Sequence, residues 1–152
     1  MALPLVSDLT LRRLPLIAES YQRLLGKPLV SASGDIALDL WQAPQVIVAH
    51  GTEDDPVFFY GNRRALDVFE MAFADFICLP SRFSAEPLLR EERARLLERV
   101  SRDGYIDDYA GVRVSASGRR FRIERAVVWN LIDAAGVCHG QAATFDHWIA
   151  LD

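Results

Sequence analysis

Residues 55–62 read Asp-Pro-Val-Phe-Phe-Tyr-Gly-Asn, a segment in which four residues of high strand propensity stand between a proline and a glycine. This composition predicts a strand over residues 56–61. A β-branched run precedes it at residues 45–49, and the polar residues between the two runs predict a turn, so we expect a hairpin. Asn62 follows at once, and its short side chain is suited to cap a helix over residues 63–72. The strand is therefore expected to pass directly into a helix.

Toward the amino terminus, apolar residues recur at steps of three and four over Asp8–Leu25. Ser7 or Asp8 is placed to cap this segment, and residues 26–28 are placed to end it. The spacing predicts an amphipathic helix. Residues 36–43 form a second, short apolar segment, and its pattern fits either a short helix or an extended arm.

Toward the carboxy terminus, a helical turn over residues 74–79 is followed by a longer helix that opens at Ser84, with Pro87 in its first turn, and stops at residues 103–104. One stripe of this helix is apolar apart from an arginine, and it consists of Leu89, Arg93, Leu96, Leu97 and Val100. After Gly104 the period changes from 3.6 to 2. An antiparallel meander is then expected from three strand-like runs, residues 105–116, 119–132 and 137–151.

The order of these elements predicts an α+β fold with a five-stranded antiparallel sheet. The helices between the second and third strands must cover one face of the sheet to bury their apolar stripes, which leaves the other face for the amino-terminal helix. We divide the chain into an amino-terminal helical arm or cap, residues 1–44, and a sheet-containing domain, residues 45–152. Together they are expected to form one compact domain.

The composition restricts the partners and the location. The chain has a formal charge of -4, so its net field disfavours nucleic acid and anionic membrane surfaces. Residues 1–9 lack the features of a secretory signal, and no apolar run approaches the ~18 residues that span a bilayer. Cys78 and Cys138 are far apart and have no paired-motif spacing, which favours reduced thiols and a cytoplasmic location.

The quoted segment, the helix after it and a second group of residues together resemble a PAS domain over roughly residues 43–151. The helix carries Ala65-Leu66-x-x-Phe69, and the second group is Trp129-Asn130-Leu131-Ile132-Asp133, followed by Gly136 and by Gly140-Gln141. More closely, the chain is similar to the MEKHLA family, which occurs as stand-alone bacterial proteins, the form resembled here, and as a carboxy-terminal domain of plant homeodomain-zipper transcription factors. The resemblance implies a ligand or partner cavity between the sheet and the helices after Asn62, and a homodimer formed through the helical arm. It implies no reaction, because such folds host many functions.

The strand over residues 119–132 contains the first candidate for ligand binding. Strict alternation places one set of side chains on the core face, namely Phe121, Ile123, Arg125, Val127, Trp129 and Leu131. Arg125 is the cation in this stripe, and a buried guanidinium needs a carboxylate or an anionic ligand. Arg125 is therefore a candidate to bind a ligand carboxylate or phosphate. The alternatives are a β-bulge that turns it outward, or an internal acid such as Asp107, Asp108 or Glu124.

Further candidates are aromatic or amide side chains. An aromatic pocket is one reading, and ordinary core packing the other, of the set Phe58, Tyr60, Phe69, Phe73, Phe121 and Trp129. Gln141 lies on the last strand among small residues that leave room either for a ligand or for close helix packing. If it faces the cavity, its amide can both donate to and accept from a heterocycle; otherwise it satisfies backbone or solvent.

Four arginines on neighbouring strands, Arg113, Arg119, Arg120 and Arg122, predict a basic strip on the exposed sheet face. On an acidic domain we interpret such a strip as a solvated surface or a protein interface rather than a nucleic-acid groove.

No catalytic or metal site is predicted. His139 and His147 are about eight steps of 3.3 Å apart on an extended strand, too far to share one ion. Cys138 and His139 point to opposite faces, so they cannot act as nucleophile and base. A nucleophile elbow, a phosphate loop and a paired-cysteine motif are all missing from the sequence.

The resemblance also bears on cofactors. Flavin-photoreceptor PAS domains carry an Asn-Cys-Arg type motif where this chain has Ser81-Arg82-Phe83-Ser84, so covalent flavin chemistry is disfavoured. Haem-sensing PAS domains commonly use a histidine on the long helix, and residues 88–103 contain none. Haem is disfavoured on that ground, and the cofactor is unknown.

The leading functional hypothesis is a sensor or interaction module. A small organic molecule, with anionic compounds among the candidates, enters an apolar cavity and biases the domain toward a protein partner or toward self-association. One alternative is a structural interaction domain whose core is filled by its own side chains. The other is a small enzyme that has adapted the cavity, which a polar constellation with a titratable base would favour.

Overall fold

A computed structural model describes residues 2–86 and 90–151. The strands in the described part are β1 (Val46–His50), β2 (Phe58–Gly61), β3 (Tyr105–Val114), β4 (Arg120–Ile132), β5 (Cys138–Phe145) and β6 (Trp148–Ala150). The α-helices are α1 (Asp8–Leu25), α2 (Ile36–Gln42), α3 (Arg63–Phe69), α4 (Phe73–Phe76) and α5 (Arg90–Asp103). One antiparallel sheet runs in the order β2-β1-β5-β4-β3, and β6 pairs with β4. The predicted α+β class, the antiparallel sheet and the meander are confirmed.

The predicted passage from a strand directly into a helix is present at Asn62. β1 and β2 form the expected hairpin, with Ala49 opposite Tyr60. The Oδ1 of Asn62 accepts a hydrogen bond from the amide of Ala65 at 3.0 Å and so caps α3. The open choice for residues 36–43 resolves as a helix, because Asp35 caps α2 by accepting from the amide of Leu38 at 3.2 Å.

α1 covers the face of the sheet opposite to α3 and α5. Its apolar stripe enters a core cluster that includes Leu14, Ile17, Tyr21 and the indole of Trp129. Trp129 Nε1 donates to the carbonyl of Ile17 at 3.1 Å, and the rings of Tyr21 and Trp129 meet edge to face with centroids 4.9 Å apart. The arm and the sheet therefore share one core.

The run 137–151 is two strands rather than the single strand expected, so the sheet has a sixth, short strand. β5 pairs with the carboxy-terminal half of β4, with Trp129 opposite Ala142. The chain then bends at Asp146, and β6 pairs with the amino-terminal half of β4, with Phe121 opposite Ala150. The division occurs because the two halves of β4 are separated by a break in its regular alternation.

That break is at Arg125, and it corrects the predicted face assignment. Arg125 has a φ of 52°, in the left-handed region, and its side chain is exposed. Such a bulge adds one residue to the count. Phe121 and Ile123 consequently share with Val128 the face that α3 and α5 cover. Trp129 lies on the opposite face, which α1 covers. The prediction that Arg125 and Trp129 share a face with Phe121 is wrong.

The long helix also begins differently from the expectation. Ser84 ends a 3-10 helix, Ser81–Ser84, instead of opening the long helix. The predicted first turn with Pro87 lies outside the described residues, and α5 is described from Arg90 to Asp103. No helix in the described part of the chain combines the length and apolarity needed to cross a membrane.

Candidate ligand-binding cavity

A cavity of about 50 Å³ lies between the central strands and the helices α3 and α5. Its walls are mainly apolar, and they include Val48, Phe58, Phe69, Leu96, Ile123 and Phe145. The 3-10 helix and β3 close one side with polar residues, namely Ser81, Ser84, Tyr109 and Arg113. The space is far smaller than the several hundred Å³ usual for drug-sized ligands, so in this form it accommodates a few water molecules or one small group.

Two arginines converge on this cavity from different elements. Arg93 of α5 donates through Nη2 to the hydroxyl of Ser81. Arg113 of β3 donates to Ser84 Oγ at 3.4 Å and to the Tyr109 hydroxyl at 3.3 Å. The 3-10 helix thus presents its two serine hydroxyls to the two guanidinium groups.

Neither guanidinium has an acidic partner in the part of the chain that the structure describes. The ion pairs there involve other side chains. Asp55, the carboxylate whose charge acts on Arg93 through space, pairs with Arg82 at 3.0 Å. Burial, with a further contribution from Arg113, lowers the pKa of Arg93 to about 10. Two positive charges face a mostly apolar space, and their hydrogen-bond partners among the described residues are hydroxyl groups.

Gln141 places an unused acceptor at the same cavity. The Asn130 amide donates through Nδ2 to the carbonyl of Val100 at 2.9 Å, so its Oδ1 is left to accept from Gln141 Nε2, also at 2.9 Å. These two consecutive hydrogen bonds fix the orientation of the Gln141 amide. Gln141 is 9% exposed, and its Oε1 has no hydrogen-bond partner among the described residues.

His50 is a titratable base at the cavity wall. Its Nδ1 lies 2.9 Å from the carbonyl of Gly51 and must donate to it, so the neutral ring leaves Nε2 as an acceptor. Burial lowers the pKa of His50, and the charges of Arg93 and Arg113 act in the same direction. The neutral form therefore predominates near pH 7.

The structure brings together some of the residues singled out from the sequence. Phe58, Phe69 and Gln141 line the cavity, and Phe121 packs edge to face on Phe69 with centroids 5.4 Å apart. Tyr60 and Phe73 are not among the residues that line the cavity; their rings pack edge to face on each other with centroids 6.2 Å apart. Two further candidates are absent from the lining: Trp129, under α1, and Arg125, exposed at the bulge.

Sequence reasoning missed the arginines that do face the cavity. Arg93 carried a signal, because it interrupts the apolar stripe of the long helix. Arg113 was assigned to an exposed basic strip, but it points into the cavity, and that assignment is wrong. The other members of the strip are exposed and paired with acids: Arg119 with Glu70 at 3.5 Å, Arg120 with Glu86, and Arg122 with Glu124 at 3.7 Å.

Residues 2–86 and 90–151 contain no group of three or more histidine, cysteine and acidic side chains that could hold a metal ion. His139 instead pairs with Asp133 at 2.8 Å, beside the turn between β4 and β5. At the cavity, the hydroxyl of Ser84 donates to the carbonyl of Ser81 at 2.6 Å. The described hydrogen bonds include none from either of these serines to His50, so a nucleophile paired with its base is missing there.

A sheet of this order, with helices and a small cavity on one face, defines the PAS class of fold. The PAS domain of a Colwellia psychrerythraea protein has a similar structure, with a TM-score of 0.63 and 12% identity, over 76% of this chain and 92% of that one. A light-oxygen-voltage domain matches with a TM-score of 0.58 and 16% identity, over 80% of this chain and 87% of that one. The MEKHLA domain model matches residues 11–150, and the chain belongs to this family.

The curated relatives are plant homeobox-leucine zipper proteins. ATHB-15 of Arabidopsis thaliana is 24% identical over an alignment of 140 positions that covers 87% of this chain. The same match covers 16% of ATHB-15, so the chain spans a small part of the length of the curated relatives.

Proposed function

We propose that this domain is a sensory module that binds a small organic molecule in the cavity between the sheet and α5. The observation that carries the proposal is Gln141, a buried amide held in one orientation with its acceptor oxygen unused beside an apolar cavity. A buried acceptor without a donor costs free energy. A ligand that donates to Gln141 Oε1 removes that cost.

Hydrogen bonds connect the cavity with α5, so that binding of a ligand can change the surface of the domain. Gln141 donates to Asn130, and Asn130 donates to the carbonyl of Val100 near the end of α5. A ligand that reorients the Gln141 amide therefore alters a contact between the sheet and α5 and shifts the helix between two positions. The output is then received by a protein partner or by a second copy of the chain. We propose no nucleic-acid or membrane partner, given the net charge of -4.

We also propose a homodimer, as the family resemblance implies. The apolar stripe of α1 is covered by its own sheet, but a row of leucines near the start of α1 is exposed: Leu3, Leu5, Leu9 and Leu11. Leu5 is 99% exposed. Light scattering across a concentration series tests self-association, and a monomer at the highest concentration contradicts it.

The exposed free thiols Cys78 and Cys138 support the reducing, cytoplasmic setting that we propose.

The experiment for ligand binding is native mass spectrometry of the freshly purified protein, compared with Ala143→Leu. Ala143 lines the cavity, and a larger apolar side chain there fills about the space that is free. We expect retained mass on the wild-type protein and none on the variant. Equal retained mass on both, or none on the wild type after incubation with a metabolite extract, contradicts the proposal.

A structural interaction domain with a filled core is the second candidate, and the cavity volume of about 50 Å³ favours it. In that case the wild-type protein carries no ligand, and Ala143→Leu changes stability alone. The enzyme alternative has a base in His50, but the described hydrogen bonds offer it no nucleophile.

A further inference from the structure

The cavity holds two guanidinium groups that form no ion pair with an acidic side chain among the residues that the structure describes. Arg93 and Arg113 belong to different elements, and each disfavours the charged form of its neighbours: Arg113 lowers the pKa of Arg93, and both lower that of His50. Like charges held together at a partly buried site are unfavourable unless an anion lies between them. The hydroxyls of Ser81 and Ser84 satisfy hydrogen bonds but supply no charge.

The available acids have other partners. Asp55 forms two hydrogen bonds to Arg82 Nε, at 3.0 and 3.1 Å, and Glu53 accepts from the amide of Val57 at 3.2 Å. Both are acidic residues whose charge reaches Arg93 or His50 through space. Neither is in contact with the cavity arginines in the part of the chain described. The site therefore carries surplus positive charge together with hydroxyl groups and the lone pair of His50.

We propose that Arg93 and Arg113 form an anion-binding end of the cavity and that the ligand carries a carboxylate or phosphate group there. This inference rests on the proposed sensory function and names the chemical class of the ligand. Guanidinium groups present forked donors that match the oxygens of either group. The free volume of about 50 Å³ suits such a group, and Phe58 and Phe69 are among the apolar residues that line the same cavity.

The test is thermal unfolding of the full chain in 10 mM sodium phosphate or 10 mM sodium succinate, against sodium chloride of equal ionic strength. If the dissociation constant is near 1 mM, linkage predicts a midpoint increase of about 5 °C. The two salts distinguish a phosphate from a carboxylate. We expect Arg93→Met and Arg113→Met to fold and to lose the increase, because methionine replaces the apolar stem and removes the like-charge repulsion.

The matched control is Arg122→Met, which removes an exposed arginine of β4 that pairs with Glu124 at 3.7 Å, and it should keep the full increase. If an arginine variant fails to fold, Ala143→Leu keeps both charges, fills the cavity and should also lose the increase. The inference is wrong if neither salt shifts the wild-type midpoint, or if Arg122→Met or Ala143→Leu behaves contrary to expectation. A retained neutral molecule in native mass spectrometry, without any anion effect, overturns the anion site but leaves the sensory proposal standing.

Discussion

Asn62 joins three elements through one fully buried side chain, which is 0% exposed. Its Oδ1 accepts from the amides of Ala65 and Ile47, and its Nδ2 donates to the carbonyls of Leu40 and Gln45 at 3.1 and 2.9 Å. We expect Asn62→Ala to lower the free energy of unfolding by about 3 kcal/mol, since it removes a cap and leaves buried backbone groups unpaired.

Urea denaturation measures this loss, with Asp35→Ala as the control. Asp35 also caps a helix, but it is exposed and accepts one helix amide, from Leu38 at 3.2 Å. That variant should lose about 1 kcal/mol. Equal losses in the two variants would mean that the bonds from Asn62 to α2 and β1 contribute nothing.

His50 makes stability depend on pH. Its pKa is lowered from 6.5 in the folded protein, chiefly by burial. The unfolded chain therefore binds the proton more readily, so the free energy of unfolding is highest above about pH 7 and falls as the pH decreases through 6.5. We expect His50→Gln to flatten this dependence between pH 7.5 and 5.5. His147→Gln, in the exposed turn before β6, should leave the slope of the wild type unchanged.

Among single residues, local roles could be predicted from the sequence and long-range ones could not. The cap by Asn62 depends on residues three positions away and was predicted. Its bonds to Leu40, Gln45 and Ile47 depend on how α2 and β1 pack, which no local pattern encodes. For the same reason, the arginine predicted to face the cavity was the wrong one. Arg125 of β4 is exposed, whereas Arg93 of α5 faces the cavity.

At the scale of elements, β5 and β1 approach closely at Gly140. Its φ is 137°, and a Cβ added there would collide with the backbone carbonyl of His50. We expect Gly140→Ala to lower the free energy of unfolding by at least about 2 kcal/mol, because both the backbone conformation and the strand spacing must change. Gly136→Ala is the control: its φ is also positive, at 82°, but a Cβ there meets open space. A loss no greater than that of the control would contradict the close approach.

The elements themselves were largely predictable, because hydrophobic period and turn chemistry are local. The hairpin, α1 and the meander all follow from such patterns. The faces of β4 were not predictable, since one residue in the left-handed region is enough to reverse every later position. The separate strand β6 is a consequence of the same break and was missed with it.

At the scale of the whole molecule, α1 closes one side of the sheet. Removal of residues 2–26 would expose side chains that are nearly fully buried, among them Ile47, Trp129 and Leu131. We expect this deletion to give an aggregated product that binds a hydrophobic dye, as measured by size-exclusion chromatography and dye fluorescence. Deletion of residues 2–6 alone keeps the Ser7 cap and should remain soluble. A soluble, dye-negative product of the longer deletion would show that the sheet face does not need the arm.

At the Arg125 bulge, the number of residues in β4 matters more than the identity of the side chain at position 125. Position 125 is exposed and has a positive φ, so glycine or asparagine should be accepted there as readily as arginine. Loss of that one codon is a different event. Without the extra residue, the indole of Trp129 would be directed into a cavity of about 50 Å³ and Val128 toward α1. In a library of variants selected for soluble expression, glycine and asparagine at this codon should survive while the in-frame deletion is lost.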